Sequence, residues 1–157
     1  MTDLPLEDVR SYPRPPALEP VPQRIQVWLG GAEIVSTTDG WRVLETHHAP
    51  TYYIPRKTIT AEITPEKGTS FCEWKGRARY WTLANAGAMA VRCAWDYPIP
   101  TERFADLVDH LAIYAHAMDE ARIGGVVGTS QPGNFYGGWV TPNLRGVVKG
   151  GPGTEGW

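Results

Sequence analysis

Between positions 24 and 37 the chain has little choice but to fold back on itself as a hairpin. Ile25, Val27 and Leu29 recur at every second residue, Gly30-Gly31 interrupts the run, and residues 32–37 resume it. A period of two sends one set of side chains to a single face of a strand, and paired glycines supply the positive φ that a tight hairpin turn needs. Short runs of the same kind follow. Asp39-Gly40 offers a second turn before a third strand over 41–46, and Pro50 and Pro55 bracket an aromatic strand over 52–54. Ile59, Ala61 and Ile63 alternate, Thr64-Pro-Glu-Lys-Gly reads as a turn, and residues 70–80 and 89–97 give the last strands. The fold predicted is mainly β with α+β character, a meander of short coiled antiparallel sheets.

One helix is predicted, over 101–118. Pro100 precedes it, Thr101 is placed to cap it, and Phe104, Leu107, Val108, Leu111, Ala115 and Met118 recur at helical spacing, with Ile113 out of step. It is expected to lie on the sheet. Its outer face carries Asp106, Asp109 and His116, which read as a solvated surface, with His110 likewise outside.

Composition sets the limits of the domain. Residues 1–23 hold six prolines and no apolar period, which suits an N-terminal arm that lies on the domain or stays mobile. The core is placed at 24–121. From Gly124 onward fall eleven of the 17 glycines, together with Phe135, Tyr136, Trp139 and Trp157. Large rings have no use in a purely flexible tail, so 122–157 is read as a glycine-rich extension pinned to the core by them. With 157 residues and 42% apolar content the chain can build one core without disulfides or metal. Cys72 and Cys93 are expected as free thiols, since no Cys or His pair has zinc spacing, and no cofactor is expected. A net charge of -2 argues against nucleic acid as partner, and no apolar run reaches the ~20 residues of a membrane helix. A cytoplasmic setting fits these features.

Chemistry concentrates in residues 70–80, Ser-Phe-Cys-Glu-Trp-Lys-Gly-Arg-Ala-Arg-Tyr. A strand, a break at Gly76 and a second strand would set Arg77, Arg79 and Trp81 on one face and Ala78, Tyr80 and Thr82 on the other. Lys75, between Trp74 and Gly76, can direct an ammonium at a ligand while its stem lies on aromatic surface. Cys72, three residues before Lys75, would be a nucleophile if the cation favours thiolate; the plain alternative is a small buried hydrophobe. Cys93 reads as core. Tyr53, Trp74 and Tyr97 each neighbour a proline, glycine or charge that ends a strand, and are the rings expected to face a cavity. His47 and His48 occupy a loop, and as neighbours they cannot both face one site; His48 is the candidate. Glu45 and Glu73 would matter only beside Lys75.

The motifs Leu29-Gly-Gly, Tyr52-Tyr-Ile-Pro-Arg, Cys72-Glu-Trp-Lys-Gly, Tyr80-Trp and Ala94-Trp-Asp-Tyr-Pro-Ile-Pro, with Ile113-Tyr beyond, resemble jointly those of a bacterial family, domain-of-unknown-function family 427. The resemblance spans positions 25 to 121 and implies a small β domain with a helix packed alongside and no established chemistry. Phe135-Tyr-Gly-Gly-Trp and Lys149-Gly-Gly-Pro-Gly-Thr look like an extension carried by a subset of it. A nucleotidyltransferase-like label attached to some members finds no glycine-serine loop and no Asp-x-Asp metal pair in this chain. Glu73, Arg77 and Arg79 depart from the family pattern, in which a proline and small residues are common.

Three functional classes are compatible with these residues. One is a binding domain for a small anionic or planar ligand held by Tyr53, Trp74, Lys75, Arg77, Arg79, Tyr97 and His48. A second is a thiol enzyme using Cys72 assisted by Lys75. The third is a homo-oligomeric interaction domain whose contacts are the aromatics of the extension.

Overall fold

The computed structural model describes residues 4–133 and 135–154. Trp157 and positions 1–3 lie outside the described residues. In the proline-rich segment are β1 (Glu7–Asp8) and β2 (Ala17–Val21); β3 (Ile25–Leu29) and β4 (Ala32–Thr37) form the glycine-turned hairpin. Next come β5 (Gly40–Leu44), β6 (Thr51–Pro55), and the long strands β7 (Glu62–Cys72), β8 (Gly76–Asn85) and β9 (Ala88–Asp96). After them run β10 (His110–Ile113), β11 (Glu120–Ile123) and β12 (Val126–Val127), then β13 (Thr129–Ser130), β14 (Trp139–Val140) and β15 (Leu144–Arg145).

Two sheets dominate. An antiparallel seven-stranded sheet has the order β2-β5-β6-β10-β9-β8-β7, and a four-stranded sheet has the order β12-β11-β3-β4. The alternation along β6 and β10 explains how they pack. Ile54, Leu111 and Ile113 face the four-stranded sheet and bury themselves with Ile25, Val27, Ile34 and Ile123. Tyr53 and Ala112, at the intervening positions, face the other way and meet Tyr97, Phe104 and Leu107. Strands buried on both faces read as unbroken apolar runs, as Tyr52-Tyr-Ile and Leu111-Ala-Ile do.

The helix over 101–118 does not form. Glu102–Leu107 is a 3-10 turn, Asp109 takes a φ of 60°, His110–Ile113 is a strand and Ala115–Ala117 a second 3-10 turn. Phe104, Leu107, Leu111, Ala115 and Met118 are all buried, as the periodicity asks, but Val108 is exposed and the out-of-step Ile113 is buried. The reason is tertiary. β10 pairs with both β6 and β9, and without it those strands would leave buried N–H and C=O groups with no partner. A short apolar run satisfies a buried strand and a helix equally well, and here the gap in the sheet decides. Among the described residues the helical elements are 3-10 turns of three to six residues.

Two further expectations change in detail. Thr64-Pro-Glu-Lys-Gly is a bulge inside edge strand β7, between Pro65 and Thr69, where proline and charge also discourage pairing with another chain. The third strand of the meander, β5, leaves the hairpin's sheet to pair with β2 and β6. The proline-rich segment thereby becomes the edge of the larger sheet. Arg42 on β5 holds it there, pairing with Glu7 at 3.0 Å and with Glu19, while the Tyr12 hydroxyl donates to Glu7 at 2.5 Å.

Candidate functional site

A cavity of about 500 Å³ opens on the face of the seven-stranded sheet turned away from the four-stranded one. Its floor is Tyr53, Ala78, Trp95 and Tyr97, all part of the second core cluster. The β7–β8 hairpin forms one wall, through Ser70, Cys72, Trp74, Lys75 and Tyr80, and the glycine-rich extension forms the facing wall. Such a volume is usual for small-molecule sites.

The hairpin wall owes its shape to the tight turn between Cys72 and Gly76, which pair across it. Gly76 has a φ of 113°, which favours glycine, and a Cβ there would crowd the Ile99 carbonyl oxygen at 3.1 Å. The chain after Tyr97 clamps the turn: Thr101 donates its N–H to the Lys75 carbonyl at 3.0 Å and its hydroxyl to the Trp74 carbonyl at 2.5 Å. Lys75 therefore leans inward. Its Nζ lies 5.7 Å from the Tyr97 ring centroid and 5.9 Å from that of Phe104. At these distances the negative face of a ring attracts an ammonium. The Tyr53 and Tyr97 rings stand 6.4 Å apart, and burial pushes both phenols well above their ordinary range, so they remain protonated hydroxyls. Ser70 and Tyr80 share a hydrogen bond at 2.7 Å on the same wall.

The extension wall is fastened by the buried Gln131. Its side-chain oxygen accepts the Ala49 N–H at 3.0 Å, and its Nε2 reaches the Lys149 carbonyl at 2.8 Å and His48 Nδ1 at 3.1 Å. Gly137 lies flat against Trp95; a Cβ added to it would fall 1.9 Å from that indole. Trp95 in turn packs on Tyr114, with centroids 4.6 Å apart, and the Tyr114 hydroxyl donates to the Phe135 carbonyl at 2.9 Å. Lys149 Nζ sits 5.5 Å above the Tyr136 ring, which meets His48 edge-on at 5.0 Å. Burial, then Lys149, Arg14, Lys75 and His47 in turn, press the His48 pKa down to about 4.

Six of the expected residues meet in this cavity: Cys72, Lys75, Tyr53, Trp74, Tyr97 and His48. Arg77 and Arg79 do not line it. The strand alternation that puts Ala78 and Tyr80 on the cavity face puts both arginines on the opposite one. There Arg79 grips the buried Asp96 with two hydrogen bonds, at 2.8 and 3.2 Å, and Trp81 donates to the same carboxylate at 2.9 Å. Arg77 donates to Thr69 at 3.3 Å. Both cysteines are free; Cys93 is buried in the core, where desolvation lifts its thiol to about 11. Sequence reasoning did not reach Gln131, Tyr114 or Lys149 as lining or supporting residues, and took Tyr136 only as a ring that pins the extension to the core. The Phe135-Tyr-Gly-Gly-Trp string was the available signal, since paired glycines between rings mark a close approach of backbone to aromatic surface. Among the described residues no three His, Cys, Asp or Glu side chains gather as a metal site would require.

A family model described as Domain of unknown function (DUF427) matches residues 17–124. The match takes in every strand from β2 to β11, and with them the floor and the hairpin wall. Phe135, Tyr136, Gly137, Gly138 and Lys149, the facing wall, lie beyond it. No curated protein matches the chain. With more than half of its length under that match, the chain belongs to the DUF427 family.

Proposed function

We propose that the protein is a cytoplasmic binding domain for a small, flat anion, seated between the β7–β8 hairpin and the extension. The observation that carries this reading is a pair of ammonium groups, Lys75 and Lys149, at the walls of an aromatic cavity, neither in an ion pair among the described residues. Ordinary lysines extend into water. These two instead are half-buried and lie over rings, where the ammonium can meet an incoming negative charge. Burial first, and then Lys149, Arg14 and Lys75, lower the His48 pKa, which accords with these cations standing near the cavity. Tilted ring pairs at Tyr53/Tyr97 and Trp95/Tyr114 favour a planar body.

A thermal-shift screen of aromatic carboxylates, nucleotides and sugar phosphates tests it. Binding at one hundred times the dissociation constant stabilises a fold by about 2.7 kcal/mol, which a melting curve resolves. Lys75→Ala should abolish the shift without lowering the melting temperature of the free protein by more than a few degrees. If no anion in the screen stabilises the wild type, the reading fails.

Cys72 on the same wall supports a second reading, a thiol enzyme that acts on the bound molecule. Alkylation of Cys72 by iodoacetamide at neutral pH no faster than that of a free model thiol would remove it.

A further inference from the structure

We propose that Gln131 is a positioning residue that holds His48 as a neutral imidazole with its Nε2–H turned to the cavity, and that the ligand this donor meets is a planar monocarboxylate. The proposal rests on the anion-binding reading of the same cavity and adds to it the class of anion and the atom that recognises it.

The amide orientation of Gln131 follows from its partners. Its oxygen accepts the Ala49 N–H at 3.0 Å, and its nitrogen donates to the Lys149 carbonyl at 2.8 Å. Reversing the amide would set donor against donor at Ala49 and acceptor against acceptor at Lys149. One amide hydrogen remains, and it points to His48 Nδ1 at 3.1 Å. Nδ1 must therefore offer its lone pair, and a neutral imidazole that accepts at Nδ1 carries its hydrogen on Nε2. Gln131 is only 1% exposed, so water cannot replace these bonds.

Nε2 is the ring atom left for a ligand. Its nearest acid, Glu45, is 4.0 Å away, beyond hydrogen-bond reach, and that carboxylate lies 3.5 Å from Arg14. Burial opposes protonation of the ring most, followed by Lys149 in the extension, Arg14 in the N-terminal segment, Lys75 on the hairpin and His47 beside it; Glu73 is the other carboxylate of the cavity lining. Tyr136 adds the edge of a ring at 5.0 Å.

The arrangement selects among anions. A phosphate dianion beside an imidazole draws a proton onto it, but here the second nitrogen is already taken by the amide. Among the described residues no guanidinium lines the cavity to offer the two-pronged contact that phosphate oxygens favour. Two ammonium groups and one neutral N–H, set among tilted rings and against the Glu45 and Glu73 carboxylates that also line the cavity, suit no more than a single negative charge on a flat body.

Two measurements on the intact chain test this. The first is the imidazole nitrogen spectrum of the 15N-histidine-labelled protein, recorded from pH 8 to pH 4. Expected is the Nε2–H tautomer of His48 throughout the neutral range; an Nδ1–H tautomer, or an imidazolium at pH 7, would overturn the proposal. The second is calorimetric titration with 2-naphthoate, 2-naphthyl phosphate and neutral 2-naphthalenemethanol. Naphthoate should bind at least tenfold more tightly than either, lose roughly tenfold in His48→Leu, and keep its affinity in His48→Gln, whose amide N–H can replace Nε2–H. Indifference of naphthoate binding to His48→Leu overturns the proposal. Preference for the phosphate overturns the monocarboxylate while leaving an anion site in place; binding of none of the three removes the anion-site reading as well. Gln131→Glu gives an independent check, since a carboxylate facing Nδ1 should raise the His48 pKa by at least one pH unit.

Discussion

His48 illustrates how burial can give one side chain a large pH signature. Its folded pKa, about 4, lies below the ordinary 6.5, so the unfolded chain takes up a proton more readily than the folded one. The contribution to stability is fully present above pH 6.5 and is lost as the pH falls from there to about 4. Allowing for its partial exposure, the loss is on the order of 2 kcal/mol. Urea denaturation at pH 7 and pH 4.5 should show it, and His48→Gln should flatten that part of the profile. Gly137 is a purely steric case at the same scale. With 1.9 Å between a new Cβ and Trp95, Gly137→Ala must push the extension off the indole. Overpacking of this kind costs about 1–3 kcal/mol, measurable as a lower denaturation midpoint.

At the scale of elements, the stretch after Thr101 shows that the register of burial does not by itself identify the element. Phe104, Leu107, Leu111, Ala115 and Met118 are inward in both a helix and the observed turn, strand and turn. The residue that separates them is Asp109. Its φ of 60° ends the first turn and delivers His110 alongside β6, and the Asp109 carbonyl accepts the Arg56 N–H at 2.9 Å. Asp109→Gly should therefore raise stability by about 0.5–1 kcal/mol, because glycine adopts that backbone without a Cβ clash. In a helix the same change would lower it by about 1 kcal/mol, so the sign of the shift in melting temperature discriminates. The β7–β8 hairpin is the opposite case. Period-two alternation correctly divides Arg77 and Arg79 from Ala78 and Tyr80, and what it leaves open is which of the two faces meets the cavity.

At the scale of the molecule, the extension is structural as well as lining. Trp139 is fully buried in the main core, donates its indole N–H to the Ile113 carbonyl at 2.9 Å and packs against Tyr52 with centroids 5.3 Å apart. Residues beyond the family match thus complete the core beneath the strand that closes the sheet. Trp139→Ala should cost about 3–5 kcal/mol, a fall on the order of 10 °C in calorimetry for a chain of this size. Affinity for any cavity ligand should fall with it, since the same segment places Lys149 and Tyr136. The N-terminal segment is similarly engaged through Glu7, Tyr12 and Arg42, though at the far edge of the sheet.

The local rules of strand and turn chemistry suffice to read most strands and the glycine hairpin, because alternation, glycine and proline act on neighbours in the chain; they nominate Cys72, Lys75, Tyr53, Trp74, Tyr97 and His48 one by one, and folding is what brings these six to one cavity. Three outcomes waited for the tertiary structure: that 110–113 is a strand, that the proline-rich segment supplies a sheet edge, and that Gln131 and Lys149 stand beside His48. Each depends on partners between about 20 and 100 residues away in the chain, chosen by which backbone groups and faces would otherwise be buried without a partner. Such pairings leave no periodic trace in a single sequence.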